Sequence, residues 1–281
     1  MSLGLFLAVM LAALLHAGWN AAIKTGANKQ TAMLVMTVWQ AALGLALVIW
    51  QPWPRAEVWP WILASGLIHT AYQLFLAYAY EQGDLSRVYP LARGAAPLIV
   101  LVVSVAFLPD TVAPAEFAGI GLLGCGIVLM ARGVFTDGES RRLVPFALGS
   151  ACATAAYSVT DGLGARVSGA PVIYVGWLLF VAAVFYVPVV LALRGRGTVV
   201  AAPAVWGKGA IAAALSLAAY AIAVWAMTEA PIALVTALRE TSILFAVLIG
   251  WWWFGERMTR GKITASVLIV SGVALTRLAA V

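Results

Sequence analysis

The chain has 281 residues, of which 64% are hydrophobic and 10% charged, with a formal net charge of +6 and a mean hydropathy of +1.00. Soluble proteins average about 45–50% apolar and about 25% charged residues, and a water-soluble globule of this size could not hide so much apolar surface. A soluble domain, a disordered tail, a collagen-like fibre and a disulfide-stapled secreted module are excluded; the chain reads as a polytopic membrane protein.

A membrane span uses about 20 apolar residues to cross roughly 30 Å of hydrocarbon, which leaves room for about ten spans and no soluble domain. Residues 3–23 lack a basic leader and run into Lys24 rather than a small-residue cleavage site, so they read as the first span, not a signal peptide. Spans two and three cover 31–50 and 58–80. Span four, 88–108, is interrupted by Pro90, Arg93 and Pro97. Such a break is tolerated in lipid only where the freed backbone groups face protein or a wet cavity.

Span five, 114–132, contains Gly119-Ile-Gly-Leu-Leu-Gly124, a literal match to a dinucleotide fingerprint. No strand precedes it, and small residues at this density let helices approach closely. The longest connection, Gly133–Arg142, falls at the midpoint, and spans six to ten cover 143–164, 171–193, 204–227, 232–253 and 261–279. Cys125 and Cys152 lie inside apolar runs, so neither a disulfide nor a zinc site is expected.

The two halves resemble each other. Ala71-Tyr72 followed by Glu81 recurs 148 residues later as Ala219-Tyr220 followed by Glu229. Leu91-Ala92-Arg93 returns 146 residues later as Ala237-Leu238-Arg239, and at the same shift Asp110 becomes Glu256 and Gly126 becomes Gly272. Five spans per repeat is an odd number, so the halves must lie in opposite orientations across the bilayer. Inverted repeats with a site between them near the midplane characterise secondary transporters. The other reading is an old duplication kept for packing alone.

Orientation follows from the basic residues. Twelve of the 17 fall on one side: Lys24, Lys29, Arg87, Arg132, Arg141, Arg142, Arg194, Arg196, Lys208, Arg257, Arg260 and Lys262. Arg55, Arg166 and Arg277 fall on the other, and Arg93 and Arg239 lie inside spans. The positive-inside rule puts the first set in the cytoplasm and both termini outside. The location expected is a bacterial inner membrane.

Arg93 and Arg239 are the most informative positions. An arginine well inside a span costs about 2.5–3.5 kcal/mol on insertion scales and marks a pathway or a partner. Guanidinium groups suit planar anions. Glu240 follows Arg239, and Thr236, Thr241 and Ser242 add hydroxyls. Fixed cations, one carboxylate and hydroxyls suit a zwitterion such as an amino acid. The alternative is an internal ion pair of Arg93 or Arg239 with Glu240 that locks spans four and nine together.

Trp50, Trp53, Trp59, Trp61, Trp206 and Trp251–Trp253 are placed for the membrane interfaces. Trp19, Tyr72, Tyr157, Trp177, Tyr220 and Trp225 lie at mid-span, where a hydroxyl or indole N–H needs a partner. They would form an aromatic-lined pocket or, on the plainer reading, an aromatic core. His69, Tyr72 and Gln73 share one helical face, to line a cavity, carry a proton or make an interhelical hydrogen bond. Asp161 and Glu229 sit near span ends and read as solvated. No nucleophile elbow, HExxH or P-loop is present, so an ATPase or hydrolase has no visible machinery.

His16-Ala-Gly-Trp-Asn20, Ala79-Tyr-Glu-Gln-Gly-Asp84 leading to Tyr89-Pro90, Ala237-Leu-Arg-Glu-Thr-Ser242 and Phe254-Gly-Glu-Arg-Met-Thr259 before Gly272 complete the pattern. Over its whole length the chain resembles the drug/metabolite transporter superfamily, ten-helix EamA type. Within it the chain most resembles the YddG-like exporters of aromatic and other neutral amino acids. The resemblance implies two inverted five-helix repeats, 1–138 and 139–281, around a central cavity, with export by alternating access. Related carriers read their substrates with span-nine residues, which supports Arg239 and Glu240. Related small multidrug pumps use a span-one glutamate for proton coupling; span one here has no acid, so the resemblance does not carry over a proton-coupling residue, and proton-coupled and facilitated export both stay open.

The expected fold is therefore all-α. The expected activity is export of small metabolites, most of all amino acids, with lipophilic drugs or a non-transporting membrane subunit as alternatives. Arg93, Arg239 and Glu240 would orient the charged groups. Trp19, Asn20, His69, Tyr72, Tyr157, Tyr220 and Trp225 would complete the site, and Pro90 and Pro97 would flex span four during gating. No cofactor, metal or nucleic acid is expected; the partners are the cargo and the lipid bilayer, and the chain is expected to be a monomer.

Overall fold

The computed structural model describes residues 1–24, 28–82, 85–131, 141–255 and 258–278. The side chains of Lys24, Arg87, Pro90, Arg132, Glu256 and Arg257 lie outside the described residues. Twelve α-helices follow in chain order among the described residues: α1 (Leu3–Lys24), α2 (Lys29–Val48), α3 (Trp59–Gln82), α4 (Leu85–Gly94), α5 (Ala96–Phe107) and α6 (Pro114–Ala131), then α7 (Leu143–Ser168), α8 (Pro171–Arg194), α9 (Pro203–Glu229), α10 (Ile232–Arg239), α11 (Ser242–Phe254) and α12 (Arg260–Leu278). A short 3₁₀ turn, Arg196–Val199, joins α8 to α9.

Among the described residues seven stretches are long and apolar enough to cross a membrane: Leu3–Ala22, Lys29–Val48, Trp59–Gln82, Leu143–Ser168, Pro171–Arg194, Pro203–Glu229 and Ile232–Trp253. Leu91–Phe107 and Pro114–Met130 are shorter apolar helices. The chain is a multi-pass membrane protein. Leu3, Leu7, Leu11 and Leu14 line an exposed stripe of α1, as a lipid-facing surface requires, and Trp50, Trp53 and Trp251–Trp253 are exposed as interface residues would be. Cys125 and Cys152 are also exposed on the bundle surface.

Among the described residues two apolar stretches are broken, each within two residues of an interior arginine. Span four ends its first half at Gly94, and Pro97, at the start of α5, has no N–H to give back to the Arg93 carbonyl. The second break, between α10 and α11, has no proline. There the Thr241 amide donates to Leu238 O at 3.1 Å and its Oγ1 to the same carbonyl at 2.7 Å. This tight turn replaces the regular helical bond and stops α10 at Glu240.

Helix contacts fall into matched sets. The most extensive are α6 with α12, α3 with α7, α1 with α9 and α2 with α8. If span one corresponds to span six, two to seven and so on, α3–α7 and α1–α9 exchange, while α2–α8 and α6–α12 map onto themselves. Glycines make the self-paired crossings close. A Cβ on Gly44 would stand 2.5 Å from Gly176 O, and one on Gly176 would stand 3.1 Å from Gly44 O. At the other crossing, a Cβ on Gly126 would stand 2.9 Å from Ala265 O and one on Gly272 2.7 Å from Gly119 O. The repeat's shift of 146 residues turns the first of these contacts into the second. The Gly119–Gly124 motif thus serves helix contact, Gly119 against α12 and Gly124 against Leu98.

Two ion pairs at helix ends join the first half of the chain to the second among the described residues, Arg194 with Glu81 at 2.7 Å and Arg166 with Asp110. Arg166, at the end of α7, donates from Nη1 and Nη2 to Asp110 Oδ1 and Oδ2 at 2.7 and 3.1 Å, and from Nε to Met227 O at 2.9 Å. Asp110 Oδ2 also accepts the Ile232 amide at 2.9 Å, which caps the start of α10.

Gly272→Val is expected to destabilise the protein by about 1–3 kcal/mol through overpacking. Gly121→Val, where a Cβ meets nothing within 4 Å, is expected to be neutral. Melting temperatures of the detergent-purified variants check both.

Candidate functional site

The broken spans bring both interior arginines to one buried cluster. Arg93 is in the last turn of α4 and Arg239 in the last turn of α10, where the negative end of each short helix favours a cation. Both are almost completely buried, as are Glu240 and Asp161.

Tyr157, on α7, is the common acceptor. Its hydroxyl receives Arg93 Nη1 at 3.0 Å and Arg239 Nη2 at 3.2 Å. Arg93 Nη2 also meets His16 Nε2. The Trp19 ring packs edge-on against His16 with centroids 5.0 Å apart and its Nε1 3.2 Å from His16 Nδ1. Asn20 donates to His16 O at 2.8 Å within its own helix, so it supports α1 rather than reaching the arginines.

Glu240 lies between the guanidinium groups at ion-pair range, 3.6 Å from Arg93 Nη1 and 3.9 Å from Arg239 Nη2. Neither distance is a hydrogen bond. Both Glu240 oxygens, Arg239 Nε and Nη1 and the Thr236 hydroxyl are buried without a hydrogen-bond partner among the described residues. Buried polar groups are normally satisfied, because an unmet donor or acceptor costs about 1–3 kcal/mol, more if charged.

Aromatic rings wall the cluster. Tyr157 lies edge-on to Tyr72 and Tyr220, with centroids 5.4 and 5.9 Å away, and stacks on His69 at 4.2 Å. The Arg93 guanidinium stands 5.7 Å from the Tyr72 ring centre, and that of Arg239 stands 5.6 Å from Tyr220. Such distances are in cation–π range.

The aromatic wall has a buried acid behind it. Asp161 Oδ1 accepts the Tyr174 hydroxyl at 3.0 Å; Oδ2 accepts the Tyr220 hydroxyl and meets His69 Nε2 at 3.1 Å. Asp161 is therefore not solvated, contrary to the expectation from its place near a span end. About two turns from the end of a 26-residue helix, it faces inward toward α3, α8 and α9. Glu229 is exposed, as expected.

Trp225 does not join the site. It is five residues on from Tyr220, about 140° round the helix, and is 38% exposed. Pro97 is buried at the span-four break, while the Pro90 side chain lies outside the described residues. Gln73 accepts from Thr37 at 3.2 Å, a plain interhelical hydrogen bond. His16, Asp161 and Tyr174 are the residues of this cluster that sequence reasoning left out of the site; nothing in the apolar surroundings on α8 marks a partner for Tyr174. Tyr174 also lines a cleft of about 210 Å³ beside Trp53, Trp177 and Arg55, where the α2–α3 and α7–α8 connections meet. No three His, Cys, Asp or Glu side chains among the described residues gather to hold a metal ion.

An all-helical, multi-pass bundle with broken spans around buried charge has the form of a membrane transporter. The sequence profile of the EamA-like transporter family matches residues 2–132 and 142–278, one match per repeat. The chain belongs to this family, and it is a membrane transporter of the drug/metabolite type. No curated protein matches it in sequence. A solved crystal structure of a protein, 19% identical, superposes with a TM-score of 0.76 and covers 99% of this chain and 98% of its own. That likeness concerns the fold.

Tyr157→Phe removes the hydroxyl to which both arginines donate and is expected to cost about 1–3 kcal/mol. A lower melting temperature than wild type, with the helical circular dichroism signal unchanged, is the expected outcome.

Proposed function

We propose that this protein is a secondary transporter that exports small metabolites, most of all aromatic and neutral amino acids, across a bacterial inner membrane by alternating access. The observation that carries the reading is the set of buried groups at the α10–α11 break. Among the described residues Arg239 has two buried donors without a hydrogen bond, Glu240 two acceptors and Thr236 a hydroxyl. A free amino acid is complementary to this set: its carboxylate takes the Arg239 donors and its ammonium faces Glu240. Its side chain lies against Tyr72, Tyr157 and Tyr220.

The arrangement of ten spans as two inverted repeats, 1–138 and 139–281, fits this reading. The matched helix contacts support it, because both repeats then deliver an arginine to the midplane from opposite sides. Arg55 donates to Val167 O beside Arg166, and Arg277 donates to Met1 O. These contacts favour one sparsely basic face carrying both termini, the periplasmic face of the proposal. Pro97 starts the second half of span four and gives that span its point of flexure.

The test is uptake and efflux of radiolabelled phenylalanine, threonine and a cationic dye in proteoliposomes. Phenylalanine and threonine are expected to move and the dye not. Arg239→Ala is expected to lower transport by roughly 10- to 100-fold, the worth of one charged hydrogen bond, with the protein still folded in the membrane. Unaltered transport in that variant removes the arginine from the mechanism. Movement of the dye alone makes the protein a drug exporter, and no flux of any solute makes it a non-transporting subunit.

A further inference from the structure

Asp161 takes no part in the recognition chemistry proposed for Arg239 and Glu240, yet it is completely buried. A comparison with Asp110 shows what is unusual about it. Asp110 is gripped by both terminal nitrogens of Arg166, and a guanidinium does not deprotonate in proteins. That pair is a fixed structural tie. Asp161 has no lysine or arginine bridge among the described residues; its partners are two phenols and an imidazole. Each of these can give or take a proton.

The four groups come from four helices in both repeats: His69 on α3, Asp161 on α7, Tyr174 on α8 and Tyr220 on α9. As a carboxylate, Asp161 only accepts. Once protonated it carries an O–H, and at least one of its three contacts must break or reverse. A change of one proton therefore acts directly on the contacts that α7 makes with α3 of the other repeat and with α8 and α9 of its own.

Asp161 also stands between two places that matter for transport. On one side, Tyr174 lines the cleft at the α2–α3 and α7–α8 connections. On the other, Tyr220 lies under the Arg239 guanidinium, and His69 stacks on Tyr157, to which Arg93 and Arg239 donate. Tyr72 faces His69 edge-on, with centroids 6.3 Å apart, and Glu240 lies beyond the arginines. With Asp161 ionised, two guanidinium groups and two carboxylates balance; protonation leaves one uncompensated positive charge. Cargo then meets a different field in the two states, which is the condition for thermodynamic linkage.

We propose that Asp161, together with His69, is a proton-binding site that couples cargo movement to the proton gradient. The inference rests on the transporter reading above. In the proton step the Asp161 carboxylate takes a proton from a hydronium ion at the Tyr174 side, which becomes water as the carboxylic acid forms. After the change of access the acid gives that proton to a water on the other face, which becomes hydronium, and only these O–H bonds are made and broken.

The experiment measures radiolabelled phenylalanine uptake into proteoliposomes with and without an imposed pH gradient. For wild type, the gradient is expected to change uptake by about 10-fold. For Asp161→Asn the ratio is expected to fall to about one at whatever residual rate it retains, and His69→Gln is expected to reduce it too. A wild-type ratio of one, or a wild-type ratio retained in Asp161→Asn, overturns the proposal. If wild type moves no phenylalanine at all, the cargo reading fails on its own. Infrared titration of the purified protein then decides the proton site without cargo. A carboxylic-acid C=O band that grows as pH falls and is missing in Asp161→Asn supports the site, and the lack of such a band overturns it.

Discussion

Charge inside a hydrocarbon-embedded bundle is the constraint on which the rest of this structure depends. Each interior arginine would be costly alone, and neither is answered by a simple partner. Arg93 and Arg239 share the Tyr157 hydroxyl and stand at ion-pair range from a single Glu240. The breaks in spans four and nine follow from the same requirement. A half-helix that ends at the arginine turns the negative end of its dipole toward the cation, and the backbone groups released by the break face protein rather than lipid.

A two-fold arrangement of helix contacts makes this convergence possible. The crossings α2–α8 and α6–α12 map onto themselves under the repeat, and both depend on glycines that leave no room for a Cβ. In lipid there is little hydrophobic force between helices, so close approach and polar contacts must hold them. The α3–α7 and α1–α9 pairs then carry the groups that surround the arginines, with His69 and Tyr72 on α3, Tyr157 and Asp161 on α7, His16 and Trp19 on α1, and Tyr220 on α9.

The charged groups divide by what grips them. Arg166–Asp110 and Arg194–Glu81, each with a contact of 2.7 Å, are complete ion pairs at helix ends, well suited to tying helices together. The central groups are different. They are more deeply buried but less completely bonded, and their incompleteness at Arg239, Glu240 and Thr236 is what makes a ligand-binding role chemically sensible. Stability alone would favour full satisfaction or apolar replacement at that depth.

Composition and periodicity alone determined that this is a helical, multi-pass membrane protein, and the repetition in the chain singled out Tyr72/Tyr220 and Arg93/Arg239, whose side chains gather around Tyr157. These were legible because apolar length, interior charge and repetition are properties of the chain itself. Three features were decided only by tertiary structure. The span-nine break carries no proline or glycine; it arises from Thr241 turning back onto Leu238. Asp161 near a helix end reads as solvated until α3, α8 and α9 close over it. Trp225 and Asn20 resemble their neighbours in type, but one faces outward and the other bonds its own helix. Which way a side chain points, and which partners four separate helices bring to it, depends on helix rotation and crossing, and those are set by contacts far apart in the chain.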